Sequence, residues 1–308
     1  MPDLSVELAP KHKSGLRLQN PVMMASGTFG YGTEYASLID IQRLGAIVSK
    51  GITEHPRKGN LQPRIAETPA GMLNSIGLQN VGIRAVVKEK APMWAQWRVP
   101  VIVNISGESS DEFARMAAAL EGVKGVAGVE VNISCPNVEQ GGMEFGADPD
   151  AAAMVTAAVK RETSLPIIVK LTPNVTDMRL VAQAVEDAGA DAVTVMNTIV
   201  GMVIDVRRRK PVIGRGHAGL SGPAIKPVAV SQTWKVSQAV QIPVIGCGGI
   251  TSANDALEFL LAGATAVQVG TATFIDPSTA ERVIQGIERY LEEQQLESVT
   301  ALIGGARG

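Results

Sequence analysis

The sequence predicts an α/β protein, a (β/α)8 TIM barrel with an N-terminal hairpin and long loops after strands 2, 4 and 6. Three observations carry this. Short apolar, β-branched runs alternate with helix-like segments, and the unit repeats eight times within 308 residues. The runs are apolar on both faces, as the strands of an all-parallel sheet covered by helices must be. The rival is an open, doubly wound sheet; eight units and the lack of a well-placed nucleotide fingerprint favour closure. The expectation is one domain over residues 1–308, with ligands at the C-terminal face of the strands.

Taken in order, residues 4–8 and 15–18 read as a hairpin plugging the N-terminal end of the barrel. Strands are predicted at 21–26, 46–51, 99–106, 128–134, 166–171, 192–197, 242–246 and 266–270. The helices between and after them are predicted at 33–44, 83–95, 110–120, 149–163, 178–188, 225–240, 252–262 and 278–294. Several starts are legible: Ser110 before two acids, and Asp148-Pro149 and Asp276-Pro277 as cap plus first-turn proline. Gly189 and Gly263 stand where a helix should stop. Residues 52–82 and 198–223 are too long for plain linkers, and as loops after strands they should cover the active site.

Composition narrows the classes of function. Apolar residues at 45% and charged residues at 19% supply a sizeable core, and a net charge of −2 gives no electrostatic case for nucleic acid or anionic membrane. The basic run Arg207 to Lys210 is short and reads as solvated loop. No apolar run can span a bilayer and no signal peptide is evident, so the expected location is cytoplasmic. Cysteines stand only at 135 and 247, too few for the four ligands of an iron–sulfur cluster. His12, His55 and His217 lack metal-ligand spacing, and no metal site is expected.

Chemistry concentrates where strands end. Cys135 follows the fourth strand in Gly128-Val-Glu-Val-Asn-Ile-Ser-Cys-Pro-Asn137, three residues after Asn132. It is either a reactive thiol or a small hydrophobe in a turn. Lys50 and Gly51, Asn104, Asn132, Lys170, and Asn197 with Thr198 close five of the apolar runs, the fourth included, or stand within them. A buried, unpaired lysine or amide costs several kcal/mol, so this many at strand ends describe a polar, ligand-filled mouth. Ile245-Gly-Cys-Gly-Gly-Ile250 and Val269-Gly-Thr-Ala272 put glycine after the last two strands, where backbone N–H groups can approach a phosphate. Cys247, among those glycines, reads as packing. Gly214-Arg-Gly-His-Ala-Gly219 matches G-x-G-x-x-G literally, but its helix begins too late and no acid follows at the right distance.

These residues together resemble the dihydroorotate dehydrogenase family. The likeness rests on Asn132-Ile-Ser-Cys-Pro-Asn137, Ser49-Lys-Gly-Ile52, Glu67-Thr-Pro-Ala-Gly-Met-Leu-Asn-Ser-Ile-Gly-Leu-Gln-Asn80, Asn197-Thr198, Leu220-Ser-Gly-Pro-Ala-Ile-Lys-Pro227 and Gly246-Cys-Gly-Gly-Ile250. A cysteine at the base position marks class 1, and residues 197–227 are most similar to the NAD-linked type 1B catalytic subunit. The resemblance implies FMN-dependent oxidation of (S)-dihydroorotate to orotate in pyrimidine biosynthesis, with Cys135 as general base. It implies substrate contacts from Lys50, Asn74, Ser75, Ile76, Gly77, Leu78, Asn132, Asn137, Asn197 and Thr198. It implies an FMN site, one per chain, from Ser26, Lys50, Gly51, Asn104, Asn132, Lys170, Met196, Gly222, Gly248, Gly249, Gly270 and Thr271. FAD and a 2Fe-2S cluster would sit on a separate partner subunit, which with a homodimer core makes a heterotetramer. Two rivals share the barrel. A dihydropyrimidine dehydrogenase-like FMN enzyme would take uncharged pyrimidines, and a Schiff-base aldolase would use Lys170 as its imine-forming amine.

Overall fold

The computed structural model describes residues 1–134, 136–137 and 143–307. Eight parallel strands close into a barrel: β1 (Val22–Met24), β2 (Ala46–Val48), β3 (Val101–Ile105), β4 (Gly128–Asn132), β5 (Ile167–Lys170), β6 (Ala192–Val195), β7 (Val244–Cys247) and β8 (Ala266–Val269). Neighbours in the ring are neighbours in sequence, and Val267 opposite Val22 joins β8 back to β1. The strands are buried along almost their whole length, because side chains fill the interior and helices cover the exterior.

The N-terminal hairpin pairs Val6–Glu7 with Arg17–Leu18. Leu8, Leu16 and Leu18 are buried, and Leu16 lies against the start of β4 at Gly128, so the hairpin closes the N-terminal end of the barrel. With that end sealed by apolar side chains, ligand access is left to the opposite face.

Local chemistry sets the helix boundaries. Asp148 caps Pro149–Glu162 by accepting from the N–H groups of Asp150 and Ala151. Gly263, at φ +115°, ends Ala253–Ala262 in the left-handed region. Three expectations need correction. Residues 33–44 form successive turns and a 3-10 turn at Ile41–Arg43, not a helix. Glycines at 30 and 32 in positive φ and the Phe29–Tyr35 ring stack fold this stretch onto itself. The cap of Ser110–Leu120 is Ser109, one residue earlier than expected. Asp276 accepts from Ser278 ahead of the helix Thr279–Glu293, leaving Pro277 outside it. The 83–95 helix is present but widens to a π-turn at Val86–Lys90. Pro92 has no N–H to give, and the ladder loosens just before it, with Ala91 N–H reaching Val86 O.

The two long insertions join over the barrel mouth. Ile65–Thr68 and Gly71–Asn74, after β2, pair with Ile199–Gly201 and Ala218–Ser221, after β6, in one four-stranded antiparallel sheet. Leu73, Ile213 and Ala218 form its own small core. The Gly214–Gly219 stretch therefore belongs to this roof, ahead of a strand. Arg207 and Arg208 ride an exposed turn, their N–H groups held by Asp205. No described helix is long and apolar enough to cross a membrane.

Packing between strand and helix is tight at Gly246 in β7, where an added Cβ would run into the Phe259 ring of Ala253–Ala262. Gly246→Ala is expected to lose about 1–3 kcal/mol of stability from overpacking. Equilibrium denaturant unfolding checks it, and an unchanged midpoint would contradict the packing.

Candidate active site

The C-terminal ends of the strands and the roof sheet enclose a cavity of about 440 Å³, inside the range of about 300–1,000 Å³ typical of small-molecule sites. Strand order places its residues. Ser26 and Lys50–Gly51 come from just past β1 and β2, Asn104 and Asn132 from β3 and β4, and Lys170 from the end of β5. Met196, Asn197 and Thr198 follow β6. The roof contributes Asn74, Ser75, Ile76, Gly77 and Leu78, and the far rim Gly222, Gly248, Gly249, Gly270 and Thr271. All of these sequence-predicted positions meet in this one space. Cys135 lies outside the described residues, and of Asn137 only the backbone is described, in a strand pair joining Pro136–Asn137 to Met143–Glu144.

Amide hydrogen bonds order one side of the cavity. Asn197 Nδ2 donates to Asn132 Oδ1 at 3.2 Å and to Ser134 Oγ at 2.9 Å, while Asn132 Nδ2 donates to Ser106 Oγ at 3.1 Å. Asn197 Oδ1 accepts from the Thr198 N–H at 2.8 Å. Asn74 Nδ2 reaches Gly219 O at 3.3 Å, which ties one insertion to the other at the cavity edge. Lys50 is half-buried; burial first, and then the nearby Arg64 guanidinium, pull its ammonium below the ordinary lysine value.

Beneath the cavity lies a polar cluster whose Asn104 and Lys170 were predicted but whose centre, Glu130, sequence reasoning missed. Glu130, in the middle of β4, is fully buried. Its Oε1 accepts from Asn104 Nδ2 at 2.7 Å, and its Oε2 from Thr194 Oγ1 and Gln268 Nε2, both at 2.8 Å. Lys170 Nζ donates to Gln268 Oε1 at 3.2 Å and stands 3.9 Å from Glu130. Burial pulls Lys170 down, but the Glu130 carboxylate, with the Cys247 thiol contributing, outweighs it and leaves the ammonium above its usual value. The available signal was a carboxylate inside an apolar alternation, Gly128-Val-Glu-Val-Asn132, whose even positions face inward with Asn132. Cys247, read as packing, lines the cavity at 9% exposure, and burial pushes its thiol up. Met72, Ser221, Ile250 and Phe274 also line the space without having been foreseen.

Two features suit a flat heteroaromatic group with a phosphate tail. Asn104 Oδ1 is buried, has no partner among the described residues, and lies beside Gly51, so it is an acceptor waiting for a ligand N–H. On the rim, Gly248 and Gly249 take φ of +136° and +76°, and a Cβ on Gly249 would come within 2.9 Å of Gly222 O. Such backbone lets N–H groups approach an anion without side-chain obstruction. Thr271 Oγ1 donates to Ser221 Oγ at 2.8 Å and closes this rim.

A family model described as dihydroorotate dehydrogenase matches residues 9–291. The chain is 57% identical over 303 residues to a protein of Pelobacter propionicus, covering 98% of both chains. It is 55% identical over 306 residues to one of Geotalea daltonii, covering 99% of both. It is 55% identical over 291 residues to one of Desulforamulus reducens, covering 94% of this chain and 96% of the relative. All three relatives carry the name dihydroorotate dehydrogenase B (NAD(+)), catalytic subunit.

The glycine rim is anchored by Asp255, which completes a capping box with Ser252 and accepts from Lys226 Nζ at 2.8 Å. Burial would raise this carboxyl, but Lys226, then Thr251 and Ser252, lower it to about 2. A depressed folded value means stabilisation that is complete above the unfolded value near ~3.9 and lost as pH falls toward about 2. Asp255→Asn is expected to cost about 1 kcal/mol at neutral pH through loss of the carboxylate charge at the helix N-terminus beside Lys226, and the deficit should shrink between those pH values. Unfolding curves at a series of pH values decide it; a deficit constant down to the acid limit would refute the linkage.

Proposed function

The chain belongs to the dihydroorotate dehydrogenase family, and from that membership we propose that it is the FMN-carrying catalytic subunit of the NAD-linked type, oxidising (S)-dihydroorotate to orotate in de novo pyrimidine (UMP) biosynthesis. The supporting observation is the meeting, in one cavity, of a cation, a ring of amides and a glycine rim. One barrel domain would serve both ligands, and its setting would be cytoplasmic.

Lys50 would bind the substrate carboxylate, since a half-buried ammonium gains most from a matching anion. Asn74, Asn132, Asn197 and Thr198 would hold the pyrimidine edge, with Asn137 nearby, because amides donate and accept at once. Ser75 to Leu78 would close over the ring from the roof. Cys135 would take the C5 proton. Bound FMN supplies the acceptor for the C6 hydride. Gly222, Gly248, Gly249, Gly270 and Thr271 would hold its phosphate, Ser26, Gly51, Asn104 and Met196 would line it, and Lys170 would supply the positive charge that favours its reduced form.

The Schiff-base reading is disfavoured by Lys170's surroundings. Imine formation needs a neutral amine, and Glu130 holds this one charged. The onward path of electrons would run through a second subunit carrying FAD and a 2Fe-2S cluster, around a homodimer core. The relatives' name, a catalytic subunit with NAD(+), supports this, as does a chain with two cysteines.

The purified chain is expected to be yellow and to bleach on anaerobic addition of dihydroorotate but not of dihydrouracil. A thiol base with a free pKa of ~8.5 makes the rate of bleaching climb through weakly alkaline pH. Cys135→Ala should keep the flavin spectrum and lose roughly two or more orders of magnitude in that rate. A colourless chain, or near-full activity of Cys135→Ala at neutral pH, would overturn the assignment.

A further inference from the structure

Glu130 has no place in the chemistry above, yet it is fully buried and accepts three hydrogen bonds. It does not line the cavity. Each polar group facing it among the described residues is a donor, and each comes from a different strand: Asn104 from β3, Lys170 from β5, Thr194 from β6 and Gln268 from β8. A buried ion pair is a poor way to stabilise a core, because apolar residues of the same volume do as well or better. The arrangement calls for another explanation.

Its effect on the neighbours supplies one. By taking Asn104 Nδ2, the carboxylate fixes that amide so that Oδ1 is left without a protein partner at the cavity wall. By taking Gln268 Nε2, it turns Gln268 Oε1 toward Lys170 Nζ, so that two acceptors hold the ammonium from the interior side. Lys170 itself lines the cavity. One carboxylate thus dictates an acceptor and a cation side by side on the cavity floor.

We propose that Glu130 is the positioning residue of this site: it orients Asn104 and anchors Lys170 as a fixed cation toward the bound flavin. The inference rests on the proposed function for the identity of the ligand, while the Glu130–Lys170 relation stands independently of it. The titratable groups facing Lys170 are Glu130 from β4 and Cys247 from β7, and Gln268 from β8 contributes a neutral amide. Without Glu130, only the smaller effect of the Cys247 thiol opposes burial at Lys170, and buried lysines lose their proton several pH units early, by as much as ~3–5.

Glu130→Gln keeps the size and removes the charge, and the first measurement uses the full chain stripped of flavin. In the natural protein the raised Lys170 value means its contribution to stability is fully present below the unfolded value of ~10.4 and lost only as pH rises above that, through the folded value. In Glu130→Gln the folded value drops below the unfolded one, the unfolded chain binds more protons, and stability rises with pH. The stability deficit of the variant should therefore shrink from about pH 7 to about pH 10. Glu130→Asp, which keeps the charge, should show no such trend, and neither should Glu130→Gln combined with Lys170→Met. A pH-independent deficit for Glu130→Gln would reduce Glu130 to a packing role and overturn the proposal.

The second measurement is flavin reduction by dihydroorotate in the loaded protein. The ratio of natural to Glu130→Gln rates should grow about tenfold between roughly pH 6.5 and 9, as Lys170 loses its charge. A ratio constant across that range overturns the link to the flavin. If the natural chain bound no flavin at all, the proposed function would fall, and the flavin-free measurement would still decide whether Glu130 holds Lys170 charged.

Discussion

An unpaired polar group inside a closed parallel barrel is costly, and Glu130, a carboxylate with no exposure at all, is where this molecule meets that cost with hydrogen bonds. One fully buried carboxylate collects donors from four of the other seven strands. Remove it and Lys170 becomes a buried charge without a counter-ion, Gln268 loses its orientation, and the Asn104 amide is free to turn over. Each of those side chains either lines the cavity or holds one that does. The polar floor of the site and the integrity of the barrel interior are thus one set of hydrogen bonds.

The roof depends on a different constraint, close approach of backbones. Gly71 and Gly222 pack against each other where Gly71–Asn74 meets Ala218–Ser221, and a Cβ on Gly219 would collide with Thr198. Two insertions separated by four barrel strands therefore zip into one sheet. The segment Asn74 to Leu78 enters the cavity as its continuation, with Leu78 held at φ +52°. Asn60 steadies this segment by donating to Ser75 at both O and Oγ. A roof built on backbone pairing places the cavity-lining residues more firmly than separate loops could.

How much of this was legible in the sequence follows from the range of the interactions involved. Strands β1 to β8 could be read because burial on both faces leaves a continuous apolar run in each. Polar residues interrupting the ends of those runs, such as Asn104, Asn132 and Lys170, could be read as a mouth for the same reason. Pairing between Gly71–Asn74 and Ala218–Ser221 was not legible, since it joins stretches about 145 positions apart, as Asn74 and Gly219 are, and neither carries a strong alternation. Residues 33–44 look helical in composition, but glycines in left-handed backbone and a tyrosine stack prevail there. Glu130 was overlooked because an acid in a strand reads as solvent-facing until its partners are known. Cys247 was judged by its glycine neighbours, yet what governs its thiol is burial and Lys170 on the next strand but one.

The two lysines of the cavity explain which pyrimidine suits it. Lys170 is held in a buried ion pair with Glu130, which stands behind it and does not line the cavity. Lys50 makes no ion pair among the described residues; burial and then Arg64 depress its ammonium, and the Glu34 carboxylate offsets them only in part. A depressed lysine regains its ordinary behaviour when an anion arrives, so binding of a carboxylate there is reinforced by relief of an existing penalty. An uncharged dihydropyrimidine would bury Lys50 further without offering that relief. In the proposed function a carboxylate would sit at the Lys50 end, and the floor could stay polar and fixed because the Lys50 charge is kept apart from the Lys170–Glu130 pair.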